Sequence, residues 1–284
     1  MATRTANGEL KKHAREYPLG YTEAEQDRLI RQATLIAPST ERFFREAGIG
    51  PGQRVLDLGS GVGDVSIIVA RLVGPSGEVV GIDRDASSIR RAETRIAAAG
   101  FRNVRFIQAD LSEITADDPF DACVGRLILM FLPDPLSVLR SLITLVRSGG
   151  ILAFQEPSFA PMLALVDRLP TWSRVPFTAR EILLRSGGNP EMGFDLYGLL
   201  LELRLPAPRM HMDVLLGSDG NLRAIMLDAF FSMLPEAQQH NISLGELGDL
   251  NTLAERVDSE RAAAKTVMPF LPLVNVWTRN VRSV

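Results

Sequence analysis

Residues 55–64 read VLDLGSGVGD. Val55, Leu56 and Leu58 form a short apolar run of the kind that makes a buried strand. Gly59, Ser60, Gly61, Val62 and Gly63 form a tight turn that only small residues can follow. Asp64 to Leu72 reads as a helix starting at that turn. Strand, glycine loop and helix together make a cradle for a nucleotide-like cofactor. The glycines admit close backbone approach, and the helix start offers free N–H groups. By itself the stretch leaves the cofactor open.

Working outward, the composition bounds what surrounds this loop. The chain has 284 residues, 46% of them hydrophobic, enough for one large domain with an added cap. Its lone cysteine, Cys123, excludes a disulfide framework or a thiolate metal cluster within the chain. A net charge of −3 leaves no basic footprint for nucleic acid. The opening residues MATRTANGELKKHARE lack the apolar core of a signal peptide, and no stretch is long and apolar enough to span a bilayer. The expectation is a cytoplasmic protein with no membrane or nucleic-acid partner and no bound metal.

N-terminal to the loop, residues 1–48 read as a helical arm or lid. Thr22 is a good N-cap with Glu23 and Glu25 in the first turn. Leu29, Ile30, Ala33 and Ile36 follow at helical spacing. Pro38 is expected to break that helix, with Ser39 or Thr40 capping a second one through Phe43 and Phe44. Residues 49–284 read as the core. Strands are expected at 54–58, 78–82, 104–108, 120–125 and 151–156, with helices at 64–73, 86–99 and 134–146 and a turn at Ser148-Gly149-Gly150. Such alternation implies a parallel α/β sheet with helices on both faces. The regularity then lapses. Cap insertions are expected at about 157–207 and 217–265, holding helices at 178–186, 196–203, 221–234 and 247–264. Strands at 210–216 and 269–278 are expected to pair as a late, hairpin-like edge.

Downstream carboxylates narrow the cofactor. Asp83 ends the second strand, where it can accept hydrogen bonds from both hydroxyls of a ribose. Yet GSGVGD departs from the dinucleotide fingerprint, because Asp64 stands where a third small residue is needed. A carboxylate at that helix start repels a pyrophosphate and suits a cofactor with a cationic centre. Asp110 follows the third strand, placed to accept from an exocyclic amine such as that of adenine.

The segments VLDLGSGVGD, VVGIDRD, FIQADLSEI, FDACVGRLILMFLPDP and LVRSGGILAFQEP resemble, in order and spacing, the motifs of class I S-adenosylmethionine-dependent methyltransferases. The resemblance covers roughly residues 40–156. It implies a Rossmann-like, doubly wound, seven-stranded, mostly parallel sheet with a reversed last strand and a helical cap. S-adenosyl-L-methionine would be the cofactor and S-adenosyl-L-homocysteine the product. Asp57 would organise the loop; Gly59, Ser60 and Gly61 would lie against the methionine part. Asp83 would hold the ribose, Arg84 would flank the adenine, Asp110 would bind its amine and Leu111 would pack on the ring. Arg126 would sit near the methionine end or the substrate mouth. Relatives often carry Asn just after the fourth strand and His near Met130; here that segment offers no histidine base.

Several residues keep a second reading. Asp57 also fits a structural cap, Arg84 an exposed side chain, and Arg126 an ion-pair partner of Glu156. Methyl transfer from a sulfonium is an in-line displacement, so the enzyme chiefly orders a nucleophile. An acid or base is needed only where the acceptor carries a proton. Glu156 is the candidate base, with Arg126 beside it, because it ends the fifth strand on the cofactor edge. A helix cap is its other reading. His211 reads as a packing histidine, and His13 and His240 carry no signal. Tyr17, Tyr21, Trp172, Phe177 and Tyr197 are candidates to line an acceptor pocket or lid. Met226 and Met233 read as core or as contacts in a homodimer. The acceptor is expected to be a small, partly apolar metabolite methylated on oxygen, nitrogen or carbon, with or without an acidic group. Two further readings stand beside it: a cofactor-binding enzyme of the same fold catalysing a rearrangement, cyclisation or elimination, and a non-catalytic regulatory or scaffold protein.

Overall fold

The computed structural model describes residues 18–111, 114–116, 118–218 and 220–281. Its strands are β1 (Arg54–Leu58), β2 (Glu78–Asp83), β3 (Val104–Gln108), β4 (Phe120–Arg126), β5 (Val146–Pro157), β6 (Arg209–Asp213), β7 (Leu216–Gly217), β8 (Met268–Pro269) and β9 (Leu273–Arg279). Helices α1 (Glu23–Ala47), α2 (Asp64–Val73), α3 (Ala86–Ala98) and α4 (Pro135–Leu145) flank the sheet. The segments 158–207 and 220–265 hold α5 (Phe159–Leu165), α6 (Pro170–Arg185), α7 (Met192–Glu202), α8 (Gly220–Ser232), α9 (Leu234–Gln239) and α10 (Leu253–Ala264).

Seven strands pair in the order β3-β2-β1-β4-β5-β9-β6. The pairs from β3 through β5 are parallel, and β9 runs antiparallel to both β5 and β6. This is the expected sheet with a reversed late strand. Alternate strand residues face opposite sides. Leu56, Leu58, Val80, Ile82 and Phe154 join a core with Leu139 and Leu142 of α4. Val55, Val79, Val124 and Ala153 pack instead on Phe43 and Phe44 of α1 and Ile68 and Val69 of α2. Each fully buried side chain of this size contributes about 1.5–3 kcal/mol.

The first large departure from the sequence reading is at Pro38, which lies inside one continuous 25-residue helix. Proline removes one intrahelical donor and bends the helix. Ile36, Phe43 and Phe44 are completely buried on either side of it, and that burial outweighs the lost bond. Thr22 caps the helix as expected, accepting from the Glu25 N–H at 3.2 Å.

The expected turn at 148–150 belongs to β5. Asn280 clamps it there: the Gly149 N–H donates to the Asn280 carbonyl at 2.6 Å and the Asn280 N–H to the Gly150 carbonyl at 2.8 Å. Helix α6 starts at Pro170 rather than 178, since proline is favoured in a first turn. The strand expected at 210–216 splits, because Leu216–Gly217 leaves the main sheet to pair with Met268–Pro269. Helix α10 starts at Leu253, after two short 3-10 turns at Gly245–Leu247 and Leu250–Thr252.

Candidate active site

In a parallel sheet, every strand delivers its C-terminal end to one edge, and ligands bind there. The loop after β1, Asp83 ending β2, Ala109, Asp110 and Leu111 after β3, Arg126 ending β4, and Leu127, Ile128 and Met130 after it all line one cavity of about 560 Å³. That volume is within the usual range for small-molecule sites.

The glycine loop has the conformation its composition implies. Gly59, Gly61 and Gly63 have φ of 58°, 51° and 84°, a region that favours glycine. A Cβ at Gly59 would lie 2.5 Å from Ile128 Cδ1, so the loops after β1 and β4 touch only because Gly59 has no side chain. Asp83 holds the loop: its Oδ2 accepts from the Gly61 N–H at 2.8 Å, and its Oδ1 from the Asp85 N–H at 2.9 Å. Burial raises the Asp83 pKa, and these backbone donors oppose the rise.

Asp57 lies beneath the loop and does not line the cavity. Its Oδ2 accepts from Ser66 Oγ at 2.6 Å, while its buried Oδ1 has no partner among the described residues. Burial pushes its pKa up to about 7, opposed by the Ser66 bond and the Arg126 charge. Asp64 lines the cavity but is paired with Arg95 Nη2 at 2.6 Å. Its charge is therefore largely spent within the fold. Arg84 Nε donates to the Tyr21 hydroxyl at 2.8 Å, and its guanidinium carbon lies 5.9 Å from the Tyr21 ring centre. Both residues line the cavity, as do Asp110 and Leu111. Burial raises the Tyr21 pKa.

Arg126 lines the cavity and donates from Nη1 to Thr40 Oγ1 at 3.2 Å. Burial lowers its pKa, and the charges of Asp64 and Asp57 hold it up. Glu156 takes the cap reading that the sequence left beside the candidate base. It is fully buried, does not line the cavity, and forms no ion pair with Arg126 among the described residues. Its Oε1 accepts from the N–H groups of Ile128 and Leu129 at 3.0 and 2.9 Å, and its Oε2 from Met130 at 3.3 Å. The carboxylate thus caps the start of the short 3-10 turn Leu129–Phe131. Burial pushes its pKa up to about 7, against the pull of those three donors. Just before this turn, Leu127 has φ of 54°, a conformation that costs a branched side chain of order 1–3 kcal/mol.

Of the aromatic candidates among the described residues, only Tyr21 reaches the cavity. Trp172 is fully buried near the start of α6, inside the main core, because its large apolar surface packs there. Tyr197 and Phe177 are 44% and 58% exposed on outward faces of α7 and α6. Tyr17 lies outside the described residues. His211 stands near Glu46 and Asp213, packed edge-on against Phe43 and Trp277.

Sequence reasoning missed the far half of the cavity. Leu132, Phe159, Val175, Ala179, Met226 and Phe230 line it, drawn from the loop after β4 and from α5, α6 and α8. Met233 lines it as well. Glu25, Arg28 and Gln32 of α1 also line it, and their helical spacing beside Leu29 was the available signal.

A family model described as a methyltransferase domain matches residues 49–182. The chain is 32% identical over 211 residues to the ubiquinone/menaquinone biosynthesis C-methyltransferase UbiE of Ectopseudomonas mendocina, covering 72% of this chain and 74% of that protein. The UbiE protein of Coxiella burnetii is 32% identical over 199 residues, covering 68% and 71%. Among solved structures, the YcgJ protein of Bacillus subtilis superposes with a TM-score of 0.56 at 17% identity, covering 86% of this chain and 99% of that one. With the sheet order, the glycine loop and the relatives in agreement, the chain belongs to the class I S-adenosylmethionine-dependent methyltransferases and transfers a methyl group from that cofactor to a small molecule.

Proposed function

We propose that the acceptor is an apolar, oxygen-bearing aromatic molecule of the quinol class, and that the methyl group goes to a ring carbon. One observation carries this reading. The polar glycine-loop end and an apolar chamber built by α5, α6 and α8 form a single cavity. The relatives named for quinone biosynthesis and carbon methylation support it.

The residues present fit the cofactor. The glycine cradle accepts a close ligand, and the Asp83 and Asp110 carboxylates stand at successive strand ends on the same cavity. S-adenosylmethionine supplies an electrophilic methyl group on a positively charged sulfur. In this reading Gly59, Ser60 and Gly61 flank the methionine part, and Asp57 acts through the loop rather than by contact. Asp83 binds the ribose, Asp110 the adenine amine, and Leu111 packs on the ring, with Arg84 and Tyr21 closing that end. Arg126 places positive charge on the cavity wall at the methionine end, where it favours the cofactor's own carboxylate or a developing oxyanion. The apolar side chains exclude water from the acceptor, and residues 21–32 of the arm act as the lid.

The test is turnover under anaerobic conditions with a geranyl-substituted 1,4-naphthalenediol. We expect S-adenosylhomocysteine and a product methylated on carbon by mass spectrometry and NMR. Asp83→Ala should weaken S-adenosylmethionine binding about tenfold or more by calorimetry, the scale of a lost charged hydrogen bond. An exclusively O-methylated product, or turnover of polar amines in place of the diol, would overturn the reading.

A further inference from the structure

Helix α1 carries a polar row into the cavity that the cofactor assignment does not use. Glu25, Arg28 and Gln32 stand at i, i+3 and i+7, so they share one helix face, and all three line the cavity. Glu25 and Arg28 are only 2% and 3% exposed. An ion pair is costly to bury and is no gain over an apolar pair of the same size. Its presence beside Leu29, Met226 and Phe230 therefore calls for a reason beyond stability.

The row is wired from one end to the other. Ser232 Oγ on α8 donates to Glu25 Oε2 at 3.0 Å. Arg28 donates to both Glu25 oxygens, from Nε at 2.7 Å and from Nη2 at 2.5 Å. Arg28 Nη1 then donates to Gln32 Oε1 at 2.6 Å. A guanidinium has only donors, so the Gln32 amide must present its oxygen to Arg28. Its NH2 group is left without a protein partner among the described residues. Gln32 is thus a fixed hydrogen-bond donor on the wall of a largely apolar chamber.

We propose that Gln32 is an acceptor-recognition residue: its Nε2 donates a hydrogen bond to an oxygen of an otherwise apolar, ring-containing acceptor. This rests on the reading of the apolar half as the acceptor chamber. Arg28 is a positioning residue that holds the amide, and Glu25 neutralises Arg28. Because the arginine charge is already matched, the site selects a neutral oxygen, as in a phenol, ether or carbonyl, over a carboxylate.

The test needs no turnover. Naphthalene, 1-methoxynaphthalene and 1-naphthoate are titrated onto the protein saturated with S-adenosylhomocysteine. 1-Methoxynaphthalene is expected to bind about tenfold tighter than naphthalene, the effect of one added hydrogen bond. Naphthoate should gain no such advantage. Gln32→Leu removes the donors, and Gln32→Glu keeps a partner for Arg28 but has none to offer. Both should abolish the methoxy preference, with S-adenosylhomocysteine affinity and naphthalene affinity retained as proof of fold. Arg28→Lys should reduce the preference without changing naphthalene binding. Equal binding of naphthalene and 1-methoxynaphthalene to the wild-type protein overturns the role of Gln32, as does a preference that survives both Gln32 variants. Tighter binding of the naphthoate overturns the selection for a neutral oxygen. Failure of every probe to bind overturns this proposal together with the apolar chamber. A methoxy preference without turnover of the quinol leaves Gln32 standing and removes only the quinol reading.

Discussion

Glu156 and Asp57 are buried carboxyls whose pKa values burial raises to about 7. A carboxyl raised in the native state binds its proton more tightly there than in the unfolded chain. The native state is therefore favoured at low pH, and stability falls as pH rises from the ordinary carboxylate range through about 7. For Glu156 the span from 4.5 to about 7 corresponds to on the order of 3 kcal/mol. Glu156→Gln removes that slope. Urea unfolding at pH 5.5 and pH 8 should show the stability difference moving in favour of the variant at the higher pH; parallel curves would rule out the assignment. Because Glu156 holds Ile128, Leu129 and Met130 rather than touching the cavity, the variant should also lower turnover through a loosened loop. Asp83 and Asp110 were legible in the sequence as cavity-lining carboxylates, since one ends a strand and the other follows the next strand by two residues. Glu156 was legible as a position but not as a partner, because its donors come from a loop some 26 residues upstream in the chain.

At the scale of elements, α1 is the part that local rules misjudge most. Proline at position 38 says stop, and two buried phenylalanines beyond it say continue. Packing wins because it is summed over many side chains, whereas the proline defect is one hydrogen bond and one bend. The outcome matters for the site. One unbroken helix carries Gln32 to the cavity and, two turns later, Thr40 to Arg126. Pro38 is exposed, so Pro38→Ala can restore the missing donor to the Thr34 carbonyl without filling a cavity. We expect a gain of about 1 kcal/mol or more in urea unfolding. A loss would show that the bend itself seats Phe43 and Phe44.

At the scale of the whole molecule, the cavity draws its walls from the sheet edge, the N-terminal helix and both caps, so cofactor binding should stabilise all of them together. A ligand that binds only the native state at a hundred times its Kd contributes about 2.7 kcal/mol. For a chain of this size that corresponds to a Tm rise of roughly 4–5 °C. Differential scanning fluorimetry with S-adenosylhomocysteine should show this rise for the wild-type protein and little for Asp83→Ala.

The sequence by itself determined the sheet and the cofactor end. Strand periodicity, the glycine turn and carboxylates at strand ends are local patterns that imply a parallel α/β sheet, and the family resemblance implies the seven strands with a reversed late strand that the fold has. The acceptor end was decided only by tertiary structure. Trp172 went to the core and Tyr197 to the surface, while Gln32, Met226 and Phe230 met across helices far apart in the chain. Amphipathic spacing shows which face of a helix is buried, but not what lies opposite. In the caps that choice rests on how helices pack against one another, and packing is a property of the folded whole.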